Sequence, residues 1–183
     1  MKDNYTHITV VLDRSGSMES IRDDIIGGFN AFLREQQDTE GLATLTLVQF
    51  DSQAPYEVVH SFKLIQAVRP LTAETYSPRG GTPLLDALGT GITQLEATLA
   101  RMNEADRPAH VVFVIITDGM ENASHLFTRN QIAQMIAEKQ EVIGWNFVFL
   151  SADLAAVQEA ERLNFRAERA LAFDKTAKGS GDA

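Results

Sequence analysis

Apolar residues fall along this chain in two rhythms. Four short runs rich in β-branched or aromatic residues, Ile8–Leu12, Thr44–Phe50, His110–Thr117 and Asn146–Ser151, read as strands. Their apolar character is continuous rather than alternating, which marks strands buried on both faces of a sheet. Between them apolar positions recur with the helical period: Ile21, Ile25, Phe29, Phe32 and Leu33, then Leu84, Leu85, Leu88, Ile92, Leu95, Leu99 and Met102. Ile132, Met135 and Ile136 form a third such set, and Leu154, Val157 and Leu163 a fourth. One segment breaks the alternation. Tyr56–Leu64 follows Thr44–Phe50 after a few residues around Asp51-Ser52-Gln53-Ala54-Pro55, too short for a crossover helix, so it is predicted as an antiparallel edge strand. A weaker last strand is expected at Ala170–Phe173.

Buried parallel strands joined by helices predict an α/β fold: a doubly wound, mostly parallel sheet with one antiparallel edge strand and helices on both faces. One domain over residues 1–173 is expected, followed by a polar tail, Asp174–Ala183, expected to be poorly ordered. In such folds ligands bind beyond the carboxyl ends of the strands.

Composition narrows the chemistry. The 183 residues can bury a core without staples, and with no cysteine there is no disulfide, zinc-thiolate site, iron–sulfur cluster or thiol nucleophile. Sixteen Lys and Arg against 25 Asp and Glu give a net charge of -9, which repels nucleic-acid phosphates and anionic membranes. The longest apolar run, Val111–Ile116, is far short of the about 20 residues a membrane span needs. No basic, apolar leader pattern opens the chain, since Asp13 interrupts Ile8–Leu12, and a cytoplasmic location is the expectation.

The strand ends carry the distinctive residues. Asp13-Arg14-Ser15-Gly16-Ser17 leaves the first strand with a carboxylate and two hydroxyls at alternate positions. Thr117-Asp118-Gly119 leaves a central strand at the same edge, where Gly119 permits a sharp turn. Between them lies Ser77-Pro78-Arg79-Gly80-Gly81-Thr82-Pro83, in which Thr82 is placed to cap a helix starting at Pro83 and to bring a third hydroxyl to the same point. Asp13, Ser15, Ser17, Thr82 and Asp118 together form an all-oxygen donor set. It suits Mg²⁺ first, with Mn²⁺ or Ca²⁺ as substitutes, and is a poor match for Zn²⁺ or copper. Neutral hydroxyls quench little of the ion's charge, which leaves it electrophilic toward one more anionic oxygen, such as a partner's Asp or Glu.

Other chemistries fail on context. An EF-hand frame from Asp13 has Met18 where glycine belongs and follows a strand. Ser15 or Ser17 with His125 and Asp118 lacks a nucleophile elbow, and no lysine follows the central strands for a phosphoryl-transfer site. His7, His60, His110 and His125 lack metal-type spacing. The simplest alternative for the Asp13 segment is a polar turn that caps the first helix.

Asp13-x-Ser15-x-Ser17 with a distant Thr82 and Asp118-Gly119 resembles the metal-ion-dependent adhesion site (MIDAS) of von Willebrand factor type A (VWA) domains. The resemblance spans Thr6 to about Phe173 and is closest to the small stand-alone bacterial members. It implies a Rossmann-like doubly wound sheet and a bound Mg²⁺ or Mn²⁺ whose open position takes a ligand carboxylate. Affinity switching in the family moves a C-terminal helix, and Asp174–Ala183 is too short and polar to supply one. The expectation is therefore a non-enzymatic, divalent-metal-dependent protein-binding module. Ser15, Ser17 and Thr82 would be direct ligands and Asp13 and Asp118 direct or water-mediated, with rim loops Ser52–Pro55, Tyr76–Gly81 and Met120–Leu126 choosing the partner. Arg14 and Arg79 beside the site would greet an acidic ligand. The alternatives are an accessory subunit docking on an ATPase or chelatase-like machine and a metal-dependent hydrolase, for which no general base stands out.

Overall fold

The structure, a computed structural model, describes residues 1–118, 121–151, 154–165 and 170–172, with 154–157 and 170–172 as backbone only. A six-stranded sheet runs in the order β3-β2-β1-β4-β5-β6. Its strands are β1 (Lys2–Asp13), β2 (Leu42–Phe50), β3 (Glu57–Leu64), β4 (Pro108–Ile116), β5 (Asn146–Ser151) and β6 (Ala170–Ala172). All pairings are parallel except β2 with β3. The edge strand expected at Tyr56–Leu64 is thus present and antiparallel.

The helices are α1 (Arg22–Asp38), α2 (Leu84–Arg101), α3 (Arg129–Glu138) and α4 (Leu154–Arg162). Continuous apolar strands are explained by two separate cores. Even positions of β1, Ile8, Val10 and Leu12, pack with Leu45 and Leu47 against Ile21, Ile25, Phe29 and Leu33 of the first helical segment. On the opposite face Val11, Phe50, Phe113, Ile115, Phe147 and Phe149 pack against Leu84, Leu88, Ile92 and Leu95 of α2 and Ile132 and Ile136 of α3. The apolar side chains of the central strands therefore meet helices on one face or the other, while the edge strand β3 leaves Val58, Val59 and Leu64 exposed.

Some boundaries differ from expectation. β1 begins at Lys2 rather than Ile8, because its polar first half is zipped to β2 and β4 by backbone pairing such as Tyr5 with Leu42 and Lys2 with Pro108. The first helical segment opens as a 3-10 turn over Gly16–Ile21 before becoming α1. Gly119, Met120, Phe173, the tail Asp174–Ala183 and the side chains of Leu154 and Val157 lie outside the described residues. No helix among the described residues is long and apolar enough to cross a membrane.

Candidate metal centre

Parallel register levels the carboxyl ends of three neighbouring strands. Asp13 pairs with Phe50 and Leu12 with Ile116, so Asp13, Asp51 and Thr117-Asp118 leave the sheet side by side. Asp13 is fully buried. Its Oδ1 accepts the Ser15 N–H at 2.6 Å and its Oδ2 accepts the Thr117 hydroxyl at 2.6 Å. Tyr76, also fully buried, donates its hydroxyl to the Asp13 carbonyl at 2.6 Å and so fixes the end of β1.

Burial pushes the Asp13 carboxyl above the usual range, against the hydrogen bonds from Thr117 and Ser15, and the charge of Asp118 pushes it further. Asp118, 5% exposed, is thus close enough for the two carboxylates to repel. Burial, with the charges of Asp13 and Asp118, also drives the Tyr76 phenol far above its ordinary value.

The hydroxyls of Ser15 and Ser17 stand 3.1 Å apart. Ser15 sits at the head of the 3-10 turn yet makes no side-chain cap, and α1 begins after Ile21 with none either. The polar-turn alternative required these side chains to cap the helix, and here they turn to each other instead.

Thr82 corrects one expectation: the residue preceding α2 is Pro83, with no side-chain cap, so the Thr82 hydroxyl does not serve the helix N-terminus. Donors there are satisfied from another loop. Glu121 Oε1 accepts the Leu85 N–H at 3.1 Å and Ser124 Oγ accepts the Asp86 N–H at 3.0 Å. Asn122 Oδ1 accepts the Thr82 N–H at 2.8 Å, and the Asn122 N–H returns a bond to the Thr82 carbonyl at 3.1 Å. The Thr82 loop is also fastened to the Asp13 loop, through Arg79 N–H to the Arg14 carbonyl at 2.7 Å and Gly16 N–H to the Gly80 carbonyl at 2.9 Å. Gly80 has φ +69, which favours glycine, and a Cβ there would lie 2.5 Å from Ser52 Oγ and push that hydroxyl off the Gly81 N–H it accepts.

The two arginines differ sharply. Arg14 is 7% exposed and turned inward: its Nε donates to Asp51 at 2.8 Å, Nη1 to Gln49 and Glu57 at 3.3 Å each, and Nη2 to Glu57 at 3.5 Å. Burial favours loss of its proton, but Glu57 and Asp51 outweigh that and raise its pKa. Burial likewise pushes the Asp51 carboxyl up, yet bonds from Ala54 N–H, Arg14, Arg79 and Gln53 N–H hold it below the usual range.

The structure therefore links Asp13 to Ser15 and Ser15 to Ser17, places Asp118 within electrostatic reach of Asp13, and ties the Thr82 loop to them through the backbone. Among the described residues no three His, Asp or Glu side chains gather as a metal group, so any cation here depends on hydroxyl oxygens. Sequence reasoning missed the supporting roles of Asp51, Thr117 and Asp86, and it placed Tyr76 on a partner-choosing rim, whereas the side chain is fully buried under the Asp13 carbonyl. Asp51 had a signal, since it follows directly on β2 at the same sheet edge where Asp13 ends β1.

No family model matches the chain, and no curated protein matches it. Solved structures do. Proximal thread matrix protein 1 (PTMP1) from the mussel byssus, with a zinc-occupied MIDAS motif, superposes with TM-score 0.66 at 16% identity, over 98% of this chain and 46% of that one. A second PTMP1 crystal form gives TM-score 0.62 at 15% identity, over 98% and 43%. The von Willebrand factor type A protein from Catenulispora acidiphila gives 0.61 at 14% identity, over 99% and 41%. The chain spans less than half the length of each of these three structures. At these identities the likeness is one of fold: a mostly parallel sheet with one antiparallel edge strand and flanking helices, as in VWA domains.

Proposed function

We propose that the chain is a divalent-metal-dependent protein-binding module, with the cation held by Ser15, Ser17 and Thr82 directly and by Asp13 and Asp118 directly or through water. The observation that supports it best is the pair of uncapped hydroxyls, Ser15 and Ser17, 3.1 Å apart beside a fully buried carboxylate. No described Lys or Arg pairs with Asp13, and its sequence neighbour Arg14 is committed to Asp51, Gln49 and Glu57. A buried carboxylate is costly without a counter-charge, and a divalent cation would supply one to Asp13.

The residues present fit the ion. Both Asp13 oxygens already accept a hydrogen bond and keep one lone pair each, which favours contact through water. The ion would supply a Lewis-acidic position for one outside carboxylate from an Asp or Glu of a partner protein, and the work is binding rather than turnover. Oxygen donors favour Mg²⁺ over Zn²⁺. The zinc in PTMP1 belongs to that protein, but it makes zinc a necessary arm of the test.

Calorimetric titration of Mg²⁺, Mn²⁺ and Zn²⁺ into metal-free protein, repeated with Asp118→Ala, tests the reading. Saturable binding that the substitution abolishes is expected. Absence of binding by all three cations to the unaltered chain overturns it.

A further inference from the structure

Arg79 and Arg14 share one carboxylate, yet only one of them is built to meet a ligand. Asp51 is fully buried and receives Nε of both, at 2.8 Å from Arg14 and 2.9 Å from Arg79. Arg14 has a second carboxylate, Glu57, whereas among the described residues Arg79 has only its share of Asp51. The Arg79 side chain is 44% exposed, and its Nε is its one atom engaged with a described residue, leaving the terminal nitrogens toward solvent.

The residue is also held still. Its backbone N–H is bonded to the Arg14 carbonyl, between Asp13 and Ser15. The next residue, Gly80, accepts from Gly16, and Gly81 donates to Ser52 Oγ at 2.7 Å. Backbone and Nε anchored together leave a guanidinium fork presented at the rim of the Asp13–Ser17 loop with little rotamer freedom left to lose. That is the condition under which an arginine recognises a carboxylate bidentately at low entropic cost.

We infer that the partner segment is acidic at two points: one carboxylate takes the open metal position, and a second, a few residues away, is gripped by the terminal nitrogens of Arg79. The inference rests on the proposed metal-dependent reading and adds what that reading lacks, a selector among acidic segments. The net charge of -9 repels acidic partners in general, so a fixed cation beside the metal restricts binding to segments that can reach it.

The test compares Gly-Ser peptides of equal length carrying one glutamate, or two glutamates one to four positions apart, with and without Mg²⁺. The best two-glutamate peptide is expected to bind about fivefold tighter than the one-glutamate peptide, near the upper end for an exposed ion pair. In Arg79→Gln that advantage is expected to fall to about twofold or less, the statistical gain of offering two carboxylates. A purely structural role for Arg79 would weaken both peptides alike and keep the ratio, and an unchanged ratio overturns the inference. Should Arg79→Gln fail to fold through loss of a partner for Asp51, Arg79→Lys keeps the charge, removes the fork and carries the same expectation. Failure of the underlying reading shows separately: peptide binding indifferent to Mg²⁺ and to Thr82→Ala sinks the metal site, and this inference with it.

Discussion

Asp86 shows how one side chain in a helix can hold a loop it does not belong to. It lies in the first turn of α2, 5% exposed, and its Oδ2 accepts the His125 N–H at 2.7 Å. Oδ1 accepts Leu126 N–H at 2.8 Å and Phe127 N–H at 3.0 Å. Three backbone donors on one carboxylate are charge-assisted bonds, and removing the acceptor strands all three. Asp86→Ala is expected to cost about 2–3 kcal/mol in chemical denaturation. Asp86→Asn, which keeps the Oδ1 acceptor, should cost about half as much on the same grounds. Hydrogen exchange at residues 125–127 checks the cause: faster exchange in the alanine variant supports the strap, and unchanged exchange removes it. The sequence marks Asp86 as nothing more than an acid in a helix's first turn, because its partners are backbone groups about 40 positions away. Asp13, Ser15 and Ser17, by contrast, were legible as a group because their spacing is local and follows a strand end.

At the scale of elements, α2 is legible in outline and misread in detail. Its apolar stripe, Leu84, Leu85, Leu88, Ile92 and Leu95, emerges as core, as the period requires. The cap assigned to Thr82 does not exist, because the loop at 121–124 satisfies the helix N-terminus, and no local pattern encodes a cap from a distant loop. Gly89 explains how that loop comes so near. A Cβ at Gly89 would stand 2.5 Å from Cγ and Cδ2 of Phe127, the base of the ring rather than its tip. Glycine inside a helix ordinarily costs about 1 kcal/mol relative to alanine. Here the sign reverses: Gly89→Ala is expected to destabilise by about 1–3 kcal/mol through overpacking. It should also shift the amide resonances of the 121–127 loop, and a stabilised Gly89→Ala with those resonances unmoved would mean the contact is slack. β3 was legible as an edge strand, since its short link to β2 forbids a crossover. Its irregularity was not: pairing shifts between Leu45 and Leu47, and Phe62 takes φ +48.

Across the whole molecule, the balance between folding and pH turns on a group that the motif does not include. His7 sits in β1 on the α2 face, fully buried, with Nδ1 2.7 Å from Thr44 Oγ1 and Nε2 3.1 Å from Thr9 Oγ1. Its ring stacks on Phe62, centroids 3.7 Å apart and planes within 7°. Burial pushes its pKa down to about 3, so it folds as neutral imidazole. The unfolded chain releases this proton near 6.5, the ordinary histidine value. Between those two values the unfolded state binds a proton that the folded state refuses. Stability from His7 is therefore fully present above about 6.5 and is lost as pH falls toward 3, reaching about 2 kcal/mol at pH 5 by linkage. Other groups titrate in the same span: burial, then Lys63 and Arg69, lowers His60 too, while Asp13 shifts the opposite way. The difference between unaltered protein and His7→Gln isolates the one residue, because both share the remaining groups. Denaturation midpoints at several pH values from 7 down to about 5 should converge as acid removes the advantage of the imidazole. Parallel curves would mean that the ring finds a way to charge inside the sheet. A lone histidine in a strand reads from sequence as one of four unremarkable histidines. What makes it titrate with folding is the threonine and phenylalanine cage that β2 and β3 close around it, which exists only once the sheet is assembled.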